Sequence, residues 1–447
     1  MQQSASNLPA PVLPVLVVGG GVAGMQAALD LAGLGIPVRL VERDAHLGGQ
    51  VFRLDKVYPT DHCAFCPTWT HALACREHPL ICVDCNTRFE RLEEKGDGGI
   101  TALLTRRAAR ITPEDCVFCG KCMAACPKKA LLPRAPDLSW DPAAAPVPYW
   151  NKSACDGCGQ CAAACPTGAV SMDSTEETAC LPVSDCIFAN GFEEPVPGPA
   201  PEFGAHSHPD ILAAMAFEEL HAECNALPGQ PLRCPSDRRV ARSIAFIQCA
   251  GARDKRHLEY CAAVCCMHAA KQASWMKKRQ PELDVTVFYT DLRAPGKGQE
   301  AYMRAAGEKG VRFFRRRPGL VANLGGKGIA VRHEDSGTVG TTVVDLVVLN
   351  GGLASCPLAA EKDARAGLGP TRNGPTRNRL TRDRLCGFCA EPADIAHSVI
   401  QAGNAATLAR IRQIRGQDGG MDGGRDDAAP TTIRESIGIR GISGGAS

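Results

Sequence analysis

No stretch of this chain approaches eighteen uninterrupted apolar residues, so the sequence offers no helix able to cross a bilayer. Charge of one sign is also lacking. Fifty Lys and Arg against 48 Asp and Glu leave a net +2, which gives no reason to expect nucleic acid or a membrane surface as partner. The early apolar stretch PVLPVLVVGGGVAG has no basic leader and runs straight into glycines. It reads as a strand and turn rather than a secretion signal. What the chain has in abundance is cysteine, 24 in 447 residues. In a long chain without a secretion signal, that count points to metal or redox chemistry in a reducing cytoplasm, not to a disulfide framework. The length predicts two or three domains.

Val15–Val18 is a short apolar run of the kind buried in a parallel sheet. It feeds Gly19, Gly21 and Gly24, then the helix former MQAALDLAGLG, then a second strand, PVRLVE, that ends on Glu42. Each part has a task at a dinucleotide site. Gly19 permits the tight turn, Gly21 lets backbone approach a pyrophosphate, and Gly24 lets helix and strand pack closely. The helix N-terminus attracts phosphate, and Glu42 can accept from a ribose hydroxyl. The Gly48–Gly49 pair after Glu42 resembles FAD-binding proteins of the two-dinucleotide-domain, thioredoxin-reductase-like flavoproteins. Two strand-plus-glycine segments, SDCIFANGF with Asn190 and Gly191, and VDLVVLNGG, resemble that group's interdomain connections. The segment LCGFCAEPADIAHSVIQAGNAATLARI resembles its closing element and puts Gly387, Asp394 and Ile395 at the flavin-facing positions.

Residues 116–127 (CVFCGKCMAACP) and 155–166 (CDGCGQCAAACP) both follow C-x2-C-x2-C-x3-C-P, the bacterial ferredoxin run. Thiolates are soft, charged ligands suited to iron–sulfur clusters, and the fourth cysteine of each run serves the other cluster. The expected sets are Cys116, Cys119, Cys122 and Cys165 for one [4Fe–4S], and Cys155, Cys158, Cys161 and Cys126 for the other. This unit interrupts the flavin fold, where an insertion into a surface loop costs little closure entropy.

The strand SIAFIQ (243–248) and the helix AAKQASWMKK (269–278) frame the place of a second dinucleotide loop. The glycine fingerprint is missing there: only Gly251 stands in CAGARDKRHLEYCAAVCC. Cys249, Cys261, Cys265 and Cys266 occupy the segment instead. A disulfide between the adjacent Cys265 and Cys266 would be strained. A third [4Fe–4S] cluster, zinc and buried inert thiols remain the alternatives on residue chemistry alone.

This segment, together with VTVFYTDLRAPGKGQEAYMRAAGEKGVRFFR, the inserted ferredoxin and LDKVYPTDHC, resembles the A-type flavoprotein subunit of CoB–CoM heterodisulfide reductase over residues 12–412. The DLRA segment has Pro295 where that family usually has an aromatic residue. The resemblance implies FAD and a [4Fe–4S] cluster on Cys249, Cys261, Cys265 and Cys266 in a second domain that has lost NAD. It also implies membership of a larger complex, with a hydrogenase- or formate-dehydrogenase-type donor, a disulfide-reducing subunit, other iron–sulfur subunits and ferredoxin as partners. Electron pairs can be split between acceptors in that family, and a homodimer is an open assembly state.

The expected organisation is an FAD domain from 12–112, continued at 173–237 and closed by 334–412. A two-cluster insert occupies 113–172, a cluster-bearing NAD-like domain 238–333, and a disordered or partner-docking tail 413–447. Cys63, Cys66, Cys82 and Cys85 form two C-x2-C pairs that could hold zinc, a further [4Fe–4S] cluster or redox-active thiols. Cys180, Cys186, Cys224, Cys234 and Cys356 show no spacing pattern and read as small buried hydrophobes. His62, His71 and His78 read as exposed loop residues. Lys297, between Gly296 and Gly298, is a candidate charge near the flavin. The function expected is that of an electron-transferring FAD/iron–sulfur subunit. Its rivals are a self-contained NAD(P)H-dependent iron–sulfur flavoprotein and a non-catalytic electron-storage subunit.

Overall fold

The computed structural model describes residues 12–44, 46–94, 99–107, 111, 115–117, 119–132, 148–150, 154–172, 176–194, 201–204, 207–226, 230–335, 337–356 and 383–418. The chain opens with β1 (Val15–Val18), α1 (Val22–Gly33) and β2 (Val38–Val41). A hairpin of β3 (Lys56–Val57) and β4 (His62–Cys63) follows, then α2 (Phe65–Glu77), β5 (Ile81–Asp84), β6 (Thr87–Glu94) and β7 (Ile100–Arg107). The insert holds α3 (Lys121–Ala125), β8 (Leu131–Leu132), β9 (Tyr149–Trp150) and α4 (Gln160–Ala163). The first domain resumes with β10 (Glu176–Val183), β11 (Asp185–Phe188) and β12 (Phe192–Glu193).

The second domain contains β13 (Ile211–Ala213), α5 (Ala214–Ala226), β14 (Ser243–Gln248), α6 (Cys265–Arg279), β15 (Asp284–Phe288), α7 (Gln299–Glu308) and β16 (Arg312–Phe314). A meander of β17 (Pro318–Asn323), β18 (Ile329–Asp335) and β19 (Thr338–Val344) leads into β20 (Leu346–Asn350) and β21 (Ala354–Ser355). Helix α8 (Ile395–Asp418) ends the described chain. Residues 413–418 are therefore helical, a correction to the boundary expected for the tail. The rest of that tail lies outside the described residues.

Period-2 patterning explains the first domain. Strands β11-β1-β2-β5 form a parallel sheet. Val15, Val17, Val38 and Leu40 pack with α1, α2 and α8 on one face. Leu16, Val18 and Val41 pack on the antiparallel sheet β10-β7-β6 on the other. A strand buried on both faces must read as a continuous apolar run, which is why VLVV lacks alternation. Each such fully buried side chain contributes about 1.5–3 kcal/mol relative to exposure. The second domain repeats the plan with the parallel sheet β13-β20-β14-β15-β16, α5 and α6 on one face and the β17–β19 meander on the other.

Strands β7 and β10 pair antiparallel with Arg107 opposite Glu176, so the ferredoxin-like insert replaces the tip of a hairpin. Its own small core joins Ile111, Cys122, Leu131, Ala169 and Val170, and an Ile111–Val170 bridge closes its base. Placing both ends of the insert on neighbouring strands leaves the parent sheet intact. The two large domains are joined by β12 and β21, which pair with each other.

Candidate functional site

The first turn is built around glycine. Gly19 has φ +104, and a Cβ there would stand 2.4 Å from the Ala189 carbonyl oxygen. A Cβ on Gly24 would stand 1.7 Å from the Gly19 carbonyl oxygen, so the helix cannot approach the strand with any other residue. Gly21, by contrast, has room, since a Cβ there would meet only Gly49 Cα at 4.0 Å. At the end of β2, Glu42 is 6% exposed. Its carboxylate accepts from Gly20 N at 2.6 Å and Asp44 N at 2.9 Å. Burial pushes its pKa up, and the backbone donors oppose that. The Asn190 side-chain oxygen is buried without a hydrogen-bond partner beside Gly191. An open glycine turn, a buried carboxylate and an unpartnered acceptor fit a dinucleotide.

Gly387 lies against Ala23 of α1, and Asp394 caps α8 by accepting from His397 N at 2.9 Å. Asp394 also accepts from Gln299 Nε2 at 3.3 Å. Ile395 begins α8. Lys297 is exposed, two residues before Gln299.

In the insert, Cys126, Cys155, Cys158 and Cys161 line one narrow pocket together with Leu131, Trp150 and Met172. Ala130 N donates to the Cys126 sulfur at 3.2 Å. Cys122 packs in the small core with Cys116 and Cys165 and interacts with both. Burial, first of all, raises the Cys122 thiol. Cys119 is exposed on the loop before α3. The crosswise arrangement follows from the pseudo-symmetry of the two runs: α3 and α4 each start after a left-handed glycine, Gly120 and Gly159.

The second domain departs from the nucleotide plan at the same point of its sheet. After Gln248 at the end of β14, Cys249 adopts φ +55, and Arg253 and Ala263 adopt +57 and +61. This loop, 249–264, replaces a tight glycine turn and brings four thiols into mutual electrostatic range. Cys265 feels Cys266, Cys261 and Cys249, and burial is the largest force raising its pKa. Burial likewise lifts Cys266 to about 11. The Cys266 thiol donates to Asp291 O at 3.8 Å, and Arg253 pairs with Asp291 and meets Cys249. Gln248 is 1% exposed, with both side-chain polar atoms unpartnered at the edge of this loop. Among the described residues, no three Cys, His, Asp or Glu side chains are drawn together as a metal-holding group. Four neighbouring thiols at one strand end, Cys266 buried and Cys249, Cys261 and Cys265 half-buried, nonetheless match a soft-metal donor set.

Sequence reasoning missed a buried polar group beside this loop. Lys271 on α6 is 1% exposed and donates to Glu218 on α5 at 2.5 Å and to Lys56 O at 2.9 Å. Glu218 is fully buried and also meets His268, Gln272 and Asp55 N. Burial works to raise the Glu218 pKa, but Lys271 and His268 hold it well below the ordinary carboxylate range. Its partners come from two distant segments, the helix α6 and the chain at Asp55, so no local pattern marks it.

The remaining cysteines divide. Cys186, Cys234 and Cys356 are buried, whereas Cys180 is exposed because it lies on β10, an edge strand. The Cys224 side chain lies outside the described residues. Cys75 is buried and donates to Met25 O at 3.6 Å. Cys82 meets Arg39, and Cys85 meets Arg76, so the two C-x2-C pairs are not gathered into one group. His62 is exposed, while His71 and His78 are half-buried and bond to local backbone.

The 4Fe-4S binding domain family matches residues 109–132 and 148–171, and the FAD dependent oxidoreductase family matches 14–54. The A-type subunit of H2:CoB–CoM heterodisulfide,ferredoxin reductase from Methanothermobacter marburgensis is 31% identical over 90% of this chain and 64% of its own length. The A-type iron–sulfur subunit of CoB–CoM heterodisulfide reductase from Methanocaldococcus jannaschii is 32% identical over the same shares. Over 90% of its length the chain is thus similar to A-type heterodisulfide reductase subunits. It spans 64% of the length of these curated relatives. The fold is that of T. acidophilum thioredoxin reductase, which is 13% identical with a TM-score of 0.51 over 90% of this chain and 99% of that one. Among the described residues, no helix is long and apolar enough to cross a membrane.

Proposed function

We propose that this chain is a member of the heterodisulfide reductase A-subunit family and serves as an electron-transferring FAD/iron–sulfur subunit of a heterodisulfide-reductase-like complex in the cytoplasm. The observation that carries the reading is the loop 249–264, where four interacting thiols take the place of an NAD turn. Without the glycine fingerprint that would seat a nicotinamide dinucleotide there, electrons would arrive from another protein. Gly19, Gly21, Gly24, Glu42, Gly49, Asn190, Gly191, Gly387, Asp394 and Ile395 would hold FAD, with Lys297 near its ring. The ferredoxin cysteines would hold two [4Fe–4S] clusters, and Cys249, Cys261, Cys265 and Cys266 a third. FAD supplies the exchange between electron pairs and single electrons, and the clusters pass single electrons.

The protein's own part is to place these centres and to tune them by burial and hydrogen bonding. Curated relatives carry hydrogen, formate and ferredoxin in their names, which supports a hydrogenase- or formate-dehydrogenase-type donor and ferredoxin as partners here. Division of electron pairs between two acceptors belongs to the same proposal. Stopped-flow mixing of the anaerobic protein with NADH and with NADPH tests it. Flavin absorbance should persist with both, and rapid bleaching by either would establish the self-contained NAD(P)H oxidoreductase instead.

A further inference from the structure

Cys63 closes β4 and Cys66 stands in the first turn of α2, with Ala64 between them in helical conformation (φ −68, ψ −30). The Cys63 and Cys66 thiols are near enough to interact, and Cys63 raises the Cys66 pKa above its ordinary value. Cys66 is exposed and Cys63 half-buried. Residues three apart on a helical turn have Cβ atoms about 5–6 Å apart. A disulfide needs about 3.5–4.5 Å, within reach of a small adjustment. Attack by Cys66 therefore draws on a small thiolate fraction, whose intrinsic nucleophilicity is the greater for the raised pKa.

The surroundings argue against a metal at this pair. The Cys85 thiol interacts with Arg76 in the last turn of α2, ten residues and so about 15 Å along the helix from Cys66. Cys82 is engaged with Arg39 on the neighbouring strand. His71 Nδ1 is bonded to Pro67 O at 2.7 Å. Two thiols without a third ligand make a dithiol, not a four-coordinate site.

The pair is also firmly mounted. Phe65 stacks on Phe52 at 5.6 Å and on Trp69 at 5.7 Å. Lys56, the cross-strand partner of Cys63, presents its carbonyl to Lys271 of α6. Tyr302 of α7 donates to Asp61 at 2.5 Å. The hairpin is thus seated on the helix that begins with Cys265 and Cys266.

We propose that Cys63 and Cys66 form a reversible dithiol–disulfide centre that exchanges with low-molecular-weight disulfides. The exposed Cys66, as thiolate, attacks RS–SR, forming a Cys66–SR mixed disulfide and releasing one RS⁻. Cys63 then attacks the Cys66 sulfur and releases the second. The net change is one RS–SR and two cysteine thiols going to one Cys63–Cys66 disulfide and two RSH. The two electrons pass from the cysteine pair to the substrate, and excess RSH drives the reverse.

The test equilibrates the whole protein anaerobically with oxidised and reduced glutathione, alkylates free thiols and maps the peptides by mass. A Cys63–Cys66 linkage should appear whose ratio to the dithiol rises tenfold for each tenfold rise in [GSSG]/[GSH]². In C63S, a Cys66–glutathione adduct should accumulate, and in C66S, adduct formation at Cys63 should be at least tenfold slower. Free alkylation of both thiols at every ratio would overturn the proposal, as would separate adducts without a linkage. Protection of both thiols until a chelator releases zinc or iron would assign a metal site instead. None of these readouts depends on flavin or on the clusters at Cys249–Cys266.

Discussion

Gly24 leaves the first turn no latitude, because any Cβ there enters the Gly19 carbonyl oxygen. Gly24→Ala should therefore separate α1 from β1 and cost about 1–3 kcal/mol, the range for overpacking a tight contact. Urea unfolding measures that cost, and flavin content after anaerobic purification should fall with it. The ion pair of Lys271 and Glu218 makes a second demand at this scale. Lys271→Met strands a buried carboxylate and should cost about 3–5 kcal/mol near pH 7. The sign of its pH dependence follows from linkage. In the native protein the depressed Glu218 pKa contributes stability above the ordinary carboxylate range, lost only as pH falls through the folded value. In the variant, burial without Lys271 raises that pKa, so protonation relieves the defect. The gap in urea midpoint between the two proteins should narrow from pH 8 to pH 5. A gap that stays constant would mean the lysine acts through packing alone.

Elements differ in how much of them the sequence discloses. The strand Val15–Val18, its glycine turn, α1 and β2 were legible because period, turn chemistry and spacing agree within thirty residues. The ferredoxin runs were legible for the same reason. Strands β6 and β7 carry charged residues such as Arg91, Glu93 and Arg106 and give no comparable local signal, although they close one face of the first domain. Nor does Cys180 announce that it sits on an edge. The Lys271 group was hidden because the helix HAAKQASWMKK shows an apolar face but not what a lysine within it will meet. Loop 249–264 was legible as a departure, since strand and helix were both evident and the glycines were not. Cys261→Ser should remove about four of twelve irons per chain while leaving the ferredoxin-type signals intact, as iron analysis and electron paramagnetic resonance would record. Cys158→Ser should instead diminish the ferredoxin-type signals and spare the loop cluster.

At the scale of the whole molecule, the arrangement follows from where each addition enters the parent fold. The insert enters at the β7–β10 tip, where both of its ends are already adjacent, and the two large domains communicate through the paired β12 and β21. The β3–β4 hairpin adds a further contact, reaching from the first domain to α6 and α7 through Lys56 and Asp61. Every candidate centre thus sits on one of two sheets or at a hairpin joined to them. The central claim is that a cluster has taken the nucleotide's place in the second domain. Its most direct test is iron and sulfide content of the anaerobically purified chain, compared with Cys261→Ser. The account predicts about twelve of each for the native protein and about eight for the variant, at four per cluster. Equal values near eight in both, with one zinc in the native chain, would contradict it.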